Sequence, residues 1–221
     1  MSNTDSFIDE VTEEVRRDKL FARMRRYGWI AVVAVLLLVG GAAYNEWNKA
    51  RERAAAQALG DNILAALERD ERAARADALA GIDGPTPGAD AVVTLLAAGE
   101  EIEGAPAEAA ARLLTLADRS DVPQIYRQIA TLKAVSIAEA GLDVAERRER
   151  LVGLTAGGGL IRLLAEEQLA YLDIETGDTE AAIGRLEQIN ADAEATQGLR
   201  RRVSQVILAL GGEIDPARDA G

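Results

Sequence analysis

The chain has 221 residues, no Cys, no His and a formal net charge of -12. Without Cys or His it has no disulfide, no thiolate or imidazole to serve as nucleophile or base, and no ordinary zinc site. Met1 to Arg26 carry six basic and six acidic residues, so the whole deficit lies beyond them, where 19 Lys and Arg face 31 Asp and Glu. That surface suits a solvated protein and is a poor fit to nucleic acid or to an anionic membrane surface.

Residues 1–26 read as a charged, helical arm. Ser6 and Asp9 resemble a capping pair, and Val11, Val15, Leu20, Phe21 and Met24 form a broken apolar stripe. Acidic residues come first and basic residues last, as the helix dipole favours. The arm could lie on the membrane or dock a cytosolic partner, but its plainer role is to set topology.

The arm runs into Gly28–Ala43, sixteen residues without a charge. At ~1.5 Å per residue they cover about 24 Å, short of a hydrocarbon core of roughly 30 Å. Tyr27 and Trp29 at one end, and Tyr44 and Trp47 at the other, extend the segment to 27–47 with rings suited to the headgroup level. A core helix of a soluble protein seldom ends in an aromatic pair on both sides. Six basic residues from Arg16 to Arg26 precede the span, against Lys49, Arg51 and Arg53 after it. The positive-inside rule then keeps the N-terminus cytoplasmic and exports the body beyond the span. Gly41-Ala42-Ala43 would serve a signal-peptide cleavage site, but a 26-residue, half-acidic arm favours an uncleaved signal-anchor.

From residue 48 onward the chain is rich in Ala, Leu, Glu and Arg, shows no strand alternation, and is punctuated by Gly and Pro. The breaks predict helices over 49–69, 71–80, 89–102, 106–118, 122–140, 143–153, 160–176, 179–190 and 195–210, before a flexible tail over 213–221. Leu199, Val203, Val206, Ile207 and Leu210 define one apolar face of the last helix, which leaves Arg200, Arg201 and Arg202 to a solvated face.

Short breaks between helices of this length predict stacked hairpins. Gly177-Asp178-Thr179-Glu180-Ala181-Ala182-Ile183, with Leu169, Ala170, Leu186 and Ile189 at matching spacing, resembles a tetratricopeptide repeat (TPR). Glu166 and Asp173 depart from it, standing where that repeat favours Trp and Tyr. A weaker unit runs from Ile125 through Ala130 and Ala134 to Gly141, and residues 50–118 match only in being Ala-rich and helical. Ala130, Ala134, Leu169, Ala170 and Ala182 are read as core.

The layout of basic arm, single span and Ala-rich helical body closing on Leu199-Arg200-Arg201-Arg202-Val203 resembles the YfgM-like ancillary subunits of the Sec translocon, in their alphaproteobacterial form. That resemblance implies an all-α inner-membrane protein: an N-terminal transmembrane helix followed by a TPR-like array over 48–212 in the periplasm. It implies as partners the SecYEG channel and periplasmic chaperones; the residues themselves point to no cofactor and no evident small-molecule substrate.

No residue is nominated as catalytic, cofactor-binding or metal-ligating. Gly157-Gly158-Gly159 before a helix invites a phosphate-loop reading, but Leu160-Ile161-Arg162 stands next where a P-loop needs Lys and Ser or Thr. Glu100-Glu101, Glu166-Glu167 and Asp70-Glu71 are carboxylate pairs of the kind that an acidic helical surface produces by chance. Two alternatives stand beside the translocon reading: a scaffold or assembly factor of another envelope complex, and a carboxylate-based hydrolase with a deep pocket.

Overall fold

The computed structural model describes residues 3–213, with the side chains of Arg25, Arg26, Gly28–Ile30 and 32–213. It is helical throughout, with no strand among the described residues. The tail from 214 on and the arm's side chains at Ser6 and Asp9 lie outside the described residues. The chain forms two compact units, one through Gln57 and one from Ala58.

The first unit is built on helix α1 (Asn3–Leu67), which continues past the unit's end. Sequence breaks predicted an arm, a span over 27–47 and a separate helix over 49–69, but the backbone is one uninterrupted helix. Asn45 to Lys49 contain no Pro or Gly, and Gly28, Gly40, Gly41 and Gly60 meet nothing that would need a break. Its apolar residues face outward on every side: Trp29, Ile30, Val32, Val35, Leu36, Leu37, Leu38 and Val39 are all exposed. A soluble core helix would bury them, whereas α1 presents an apolar girdle long enough to cross a membrane.

The second unit begins with the last turns of α1 and continues through α2 (Arg72–Ala80), α3 (Pro87–Glu101), α4 (Pro106–Ala117), α5 (Gln124–Val135), α6 (Val144–Thr155), α7 (Gly159–Glu175), α8 (Thr179–Ala191) and α9 (Gln197–Ala209). Local chemistry explains most starts and stops. Pro87 and Pro106 occupy first-turn positions where a missing N–H costs nothing. Thr86, Asp143, Asp178 and Thr196 accept hydrogen bonds from backbone N–H groups three residues on. At the end of α7, Gly177 has φ +84°, and the Asp178 N–H reaches back to the Asp173 carbonyl at 2.8 Å, a Schellman closure.

One boundary differs substantially from its expectation. A helix over 122–140 was read from the sequence, but α5 ends at Val135. Residues 136–140 instead form tight turns, with the Ile137 N–H on the Ala134 carbonyl and the Ala140 N–H on the Ile137 carbonyl. These turns bury Ile137 and Ala140 in the core cluster built by α3, α4 and α5, so tertiary burial overrides helix propensity there.

Each helix from α2 on packs against the next in the chain, while α3 also touches α5 and α5 touches α7. The core is correspondingly serial. Ala66, Leu79 and Ala97 form a first cluster, and Ala91, Ala98, Leu113, Ala130 and Ala134 a second. Val135, Leu151, Leu169 and Leu172 form a third, followed by Leu163, Ala170, Leu186, Val203 and Ile207. Helices α3, α5 and α7 each give one face to the cluster before and another to the cluster after. Small residues permit this close approach: Ala130, Ala134, Ala170 and Ala182 are fully buried, and Leu169 nearly so, as their assignment to the core requires.

Candidate interaction groove

The serial packing leaves an open groove of about 860 Å³ between the end of α3, the start of α4, α5 with its terminal turn, α7 and α9. Its apolar surface comes from Ile102, Pro106, Leu132, Ile137 and Leu164, and its polar edge from Lys133, Glu139, Gln168, Tyr171 and Arg202. This mixture of apolar floor and separated polar groups suits a protein segment.

At one wall, the Glu167 carboxylate is almost wholly buried, with its side chain 3% exposed. Arg202 of α9 grips it in a fork: Nε donates to Oε1 at 2.5 Å and Nη2 to Oε2 at 2.7 Å. The Tyr171 hydroxyl, one turn along α7, also donates to Oε1 at 2.9 Å. Burial, and then the bond to Glu167, push the Tyr171 phenol up to about 12. The bond to Glu167 also raises the Arg202 guanidinium above its usual value. The fork closes α9 onto α7 beside the groove.

The other face of α7 carries the two departures from the repeat pattern. Arg185 of α8 donates to Glu166 at 2.5 Å and to the buried Asp173 at 3.1 Å, and Arg148 of α6 reaches Asp173 at 2.8 Å. Where the repeat favours Trp and Tyr, this chain ties α6, α7 and α8 together through charge-assisted bonds.

These contacts correct two expectations. Two of the three adjacent carboxylate pairs are not incidental surface charge: Glu100 accepts from Arg75, Glu101 from Arg112, Glu166 from Arg185 and Glu167 from Arg202. Each joins separate helices, and the acid and its arginine lie 11 to 35 residues apart in sequence. Asp70 and Glu71 are exposed, as a chance surface pair would be. Arg202 is not simply solvated, since it serves Glu167, and the half-buried Arg200 donates to the Asp192 carbonyl at 2.9 Å. Arg201 is exposed, as a solvated face requires.

The glycine run resolves in the same way. Gly159, at φ +70°, opens α7, and its N–H donates to the Glu194 carboxylate at 3.2 Å. Arg162 bonds both Asp192 and Glu194, at 2.8 and 3.0 Å. The start of α7 is thus served by the chain's own carboxylate, and the bond from Arg162 pulls the Asp192 pKa down. Among the described residues no group of three or more Asp or Glu side chains could hold a metal ion.

No residue was nominated from sequence for this groove. One signal pointed toward it: α7 is apolar around most of its circumference, so an acid within it is forced inward and needs a partner. Comparison with family models, curated proteins and solved structures found no match.

Proposed function

We propose that the chain is a membrane-anchored protein-interaction module, of the YfgM-like ancillary kind, whose α1 crosses the inner membrane and whose TPR-like body works in the periplasm. Its partners in this reading are the SecYEG channel and periplasmic chaperones. The observation that carries the anchor is the outward-facing girdle of Trp29 to Val39, for which a bilayer is the natural solvent. The interaction role draws support from the groove beside α5, α7 and α9, and from helices that share successive clusters as repeat arrays do. The six basic residues before the girdle supply the orientation. Anchoring multiplies weak groove affinity by confining the body near membrane partners.

Two experiments test this. Photo-crosslinkers placed at Lys133, Gln168 and Glu139 in living cells should capture translocon subunits or periplasmic chaperones. Reproducible capture of a different envelope complex, with neither of these, would refute the translocon assignment and favour the scaffold reading. Because the chain has no native Cys, single substitutions report topology directly. A membrane-impermeant maleimide should label Arg201→Cys in spheroplasts and spare Asn3→Cys, and the opposite pattern would refute the orientation.

A further inference from the structure

The chain leaves its apolar girdle through a short strip of unusual chemistry. Tyr44, Trp47 and Arg51 stand at i, i+3 and i+7, on one face of α1. The Tyr44 and Trp47 ring centroids are 6.2 Å apart, and the Arg51 guanidinium carbon lies 4.9 Å from the Trp47 centroid. Both rings are exposed.

The neighbouring charges are satisfied along the helix. Arg53 reaches Glu46 at 3.3 Å, and Asn48 donates to Glu52 at 2.8 Å. Among the described residues of this segment, Lys49 and Arg51 have no carboxylate partner. Two free cations stand out here, because the chain from residue 27 on carries a surplus of acid and these cations oppose the orientation that the arm favours.

We propose that Tyr44, Trp47 and Arg51 form a headgroup site for an anionic phospholipid. The inference rests on reading α1 as a membrane span. A guanidinium held over an indole by cation–π attraction spends none of its N–H donors on that contact, so they are free to meet a phosphodiester. The indole N–H and the phenol O–H add two further donors on the same face. Tyr44 comes directly after the uncharged Gly28–Ala43 segment, so a phosphate held here is placed to lay its acyl chains along exposed Val33, Leu36 and Leu37, which share the strip's side of the helix. That continuity favours a lipid over a free phosphate. The site makes α1 a helix with a preferred lipid neighbour, and it anchors the helix at a defined depth.

The test uses the full chain carrying Trp29→Phe, so that Trp47 is the sole indole. It is placed in vesicles of phosphatidylcholine mixed with phosphatidylglycerol, with bromine on the acyl chains of one lipid or the other. At equal mole fraction, brominated phosphatidylglycerol should quench Trp47 more strongly, matching a local enrichment of about fivefold for one cation near the surface. Adding Arg51→Gln should abolish the preference while quenching by brominated phosphatidylcholine persists. Equal quenching by both lipids in the parent, or an undiminished preference in the Gln variant, overturns the headgroup site and leaves the span standing. Quenching by neither lipid overturns the span itself, and the site with it.

Discussion

The fork between Arg202 and Glu167 is asymmetric, and its asymmetry predicts which partner can be removed cheaply. The Glu167 side chain is 3% exposed and that of Arg202 is 50% exposed. Glu167→Gln leaves a guanidinium that water can reach, so the loss is limited to the charge-assisted part of two hydrogen bonds, about 1.5 kcal/mol. Arg202→Gln leaves a buried carboxylate with only the Tyr171 hydroxyl for company. Orphaning a buried charge costs about 3 kcal/mol even after some relaxation. The double variant removes both the charge and its need for a partner, and should cost less than the two single losses together. Urea unfolding of the detergent-solubilised chain, followed by circular dichroism at 222 nm, measures all three. Equal costs for the two single variants, or a larger cost for Glu167→Gln, would refute the claim that Glu167 is the buried partner.

The same structure predicts three further outcomes. At Gly84 an added Cβ would stand 2.1 Å from the Asp90 nitrogen, whereas at Gly158 it would meet nothing within 4 Å. Gly84→Ala should therefore destabilise by more than about 1 kcal/mol while Gly158→Ala stays within about 0.5 kcal/mol, as read by the same urea midpoints. Tyr171, raised to about 12 by burial and by Glu167, should ionise well above the ordinary phenol range in an absorbance titration at 295 nm, and Glu167→Gln should bring it earlier. Because its folded pKa lies above the unfolded value, its contribution to stability is complete below pH ~10 and is lost as pH rises toward about 12. Asp121 and Asp192 show the opposite sign, held below the ordinary carboxylate range by hydrogen bonds from Arg119 and Arg162. Their contribution is present above that range and is lost as pH falls below it, so the urea midpoint should drop under acid conditions. A midpoint unchanged by acid would contradict these pairings.

Much of the helical framework was legible because its punctuation is local. Pro87, Pro106, Pro123, Asp178 and Gly177 each act on the one or two turns beside them, and the expected elements fall within a few residues of α2 to α9 except at the end of α5. The shortening of α5 was hidden because it depends on where Ile137 finds a cavity, which no local pattern records. The continuity of α1 was missed for a related reason. The change from apolar to charged residues at Asn45 marks a change of surroundings, and a change of surroundings need not interrupt a helix.

The groove and its ion pairs were not legible. Glu167 and Arg202 are 35 residues apart, and neither has a local feature that names the other. Adjacent acids read as surface charge until the stacking of α3 and α7 between their neighbours turns both members of Glu100-Glu101 and of Glu166-Glu167 toward arginines of other helices. The two positions at which the repeat pattern fails, Glu166 and Asp173, turn out to belong to one Arg185-centred network. A mismatch to a repeat is therefore a place to look for a replacement interaction.

The central claim is that α1 crosses a bilayer with its aromatic residues at the two interfaces. Trp29 and Trp47 are 18 residues apart, about 27 Å along a helix, with Leu38 midway. Depth-dependent quenching by brominated lipids would be measured on three single-Trp chains: Trp29 alone, Trp47 alone, and Leu38→Trp with both native tryptophans changed to Phe. A crossing helix places the first two near the headgroups, about 13 Å from the bilayer centre, and the third within a few Å of the centre. Equal shallow depth at all three positions would mean that the helix lies along the surface, and the account built on a span would fail.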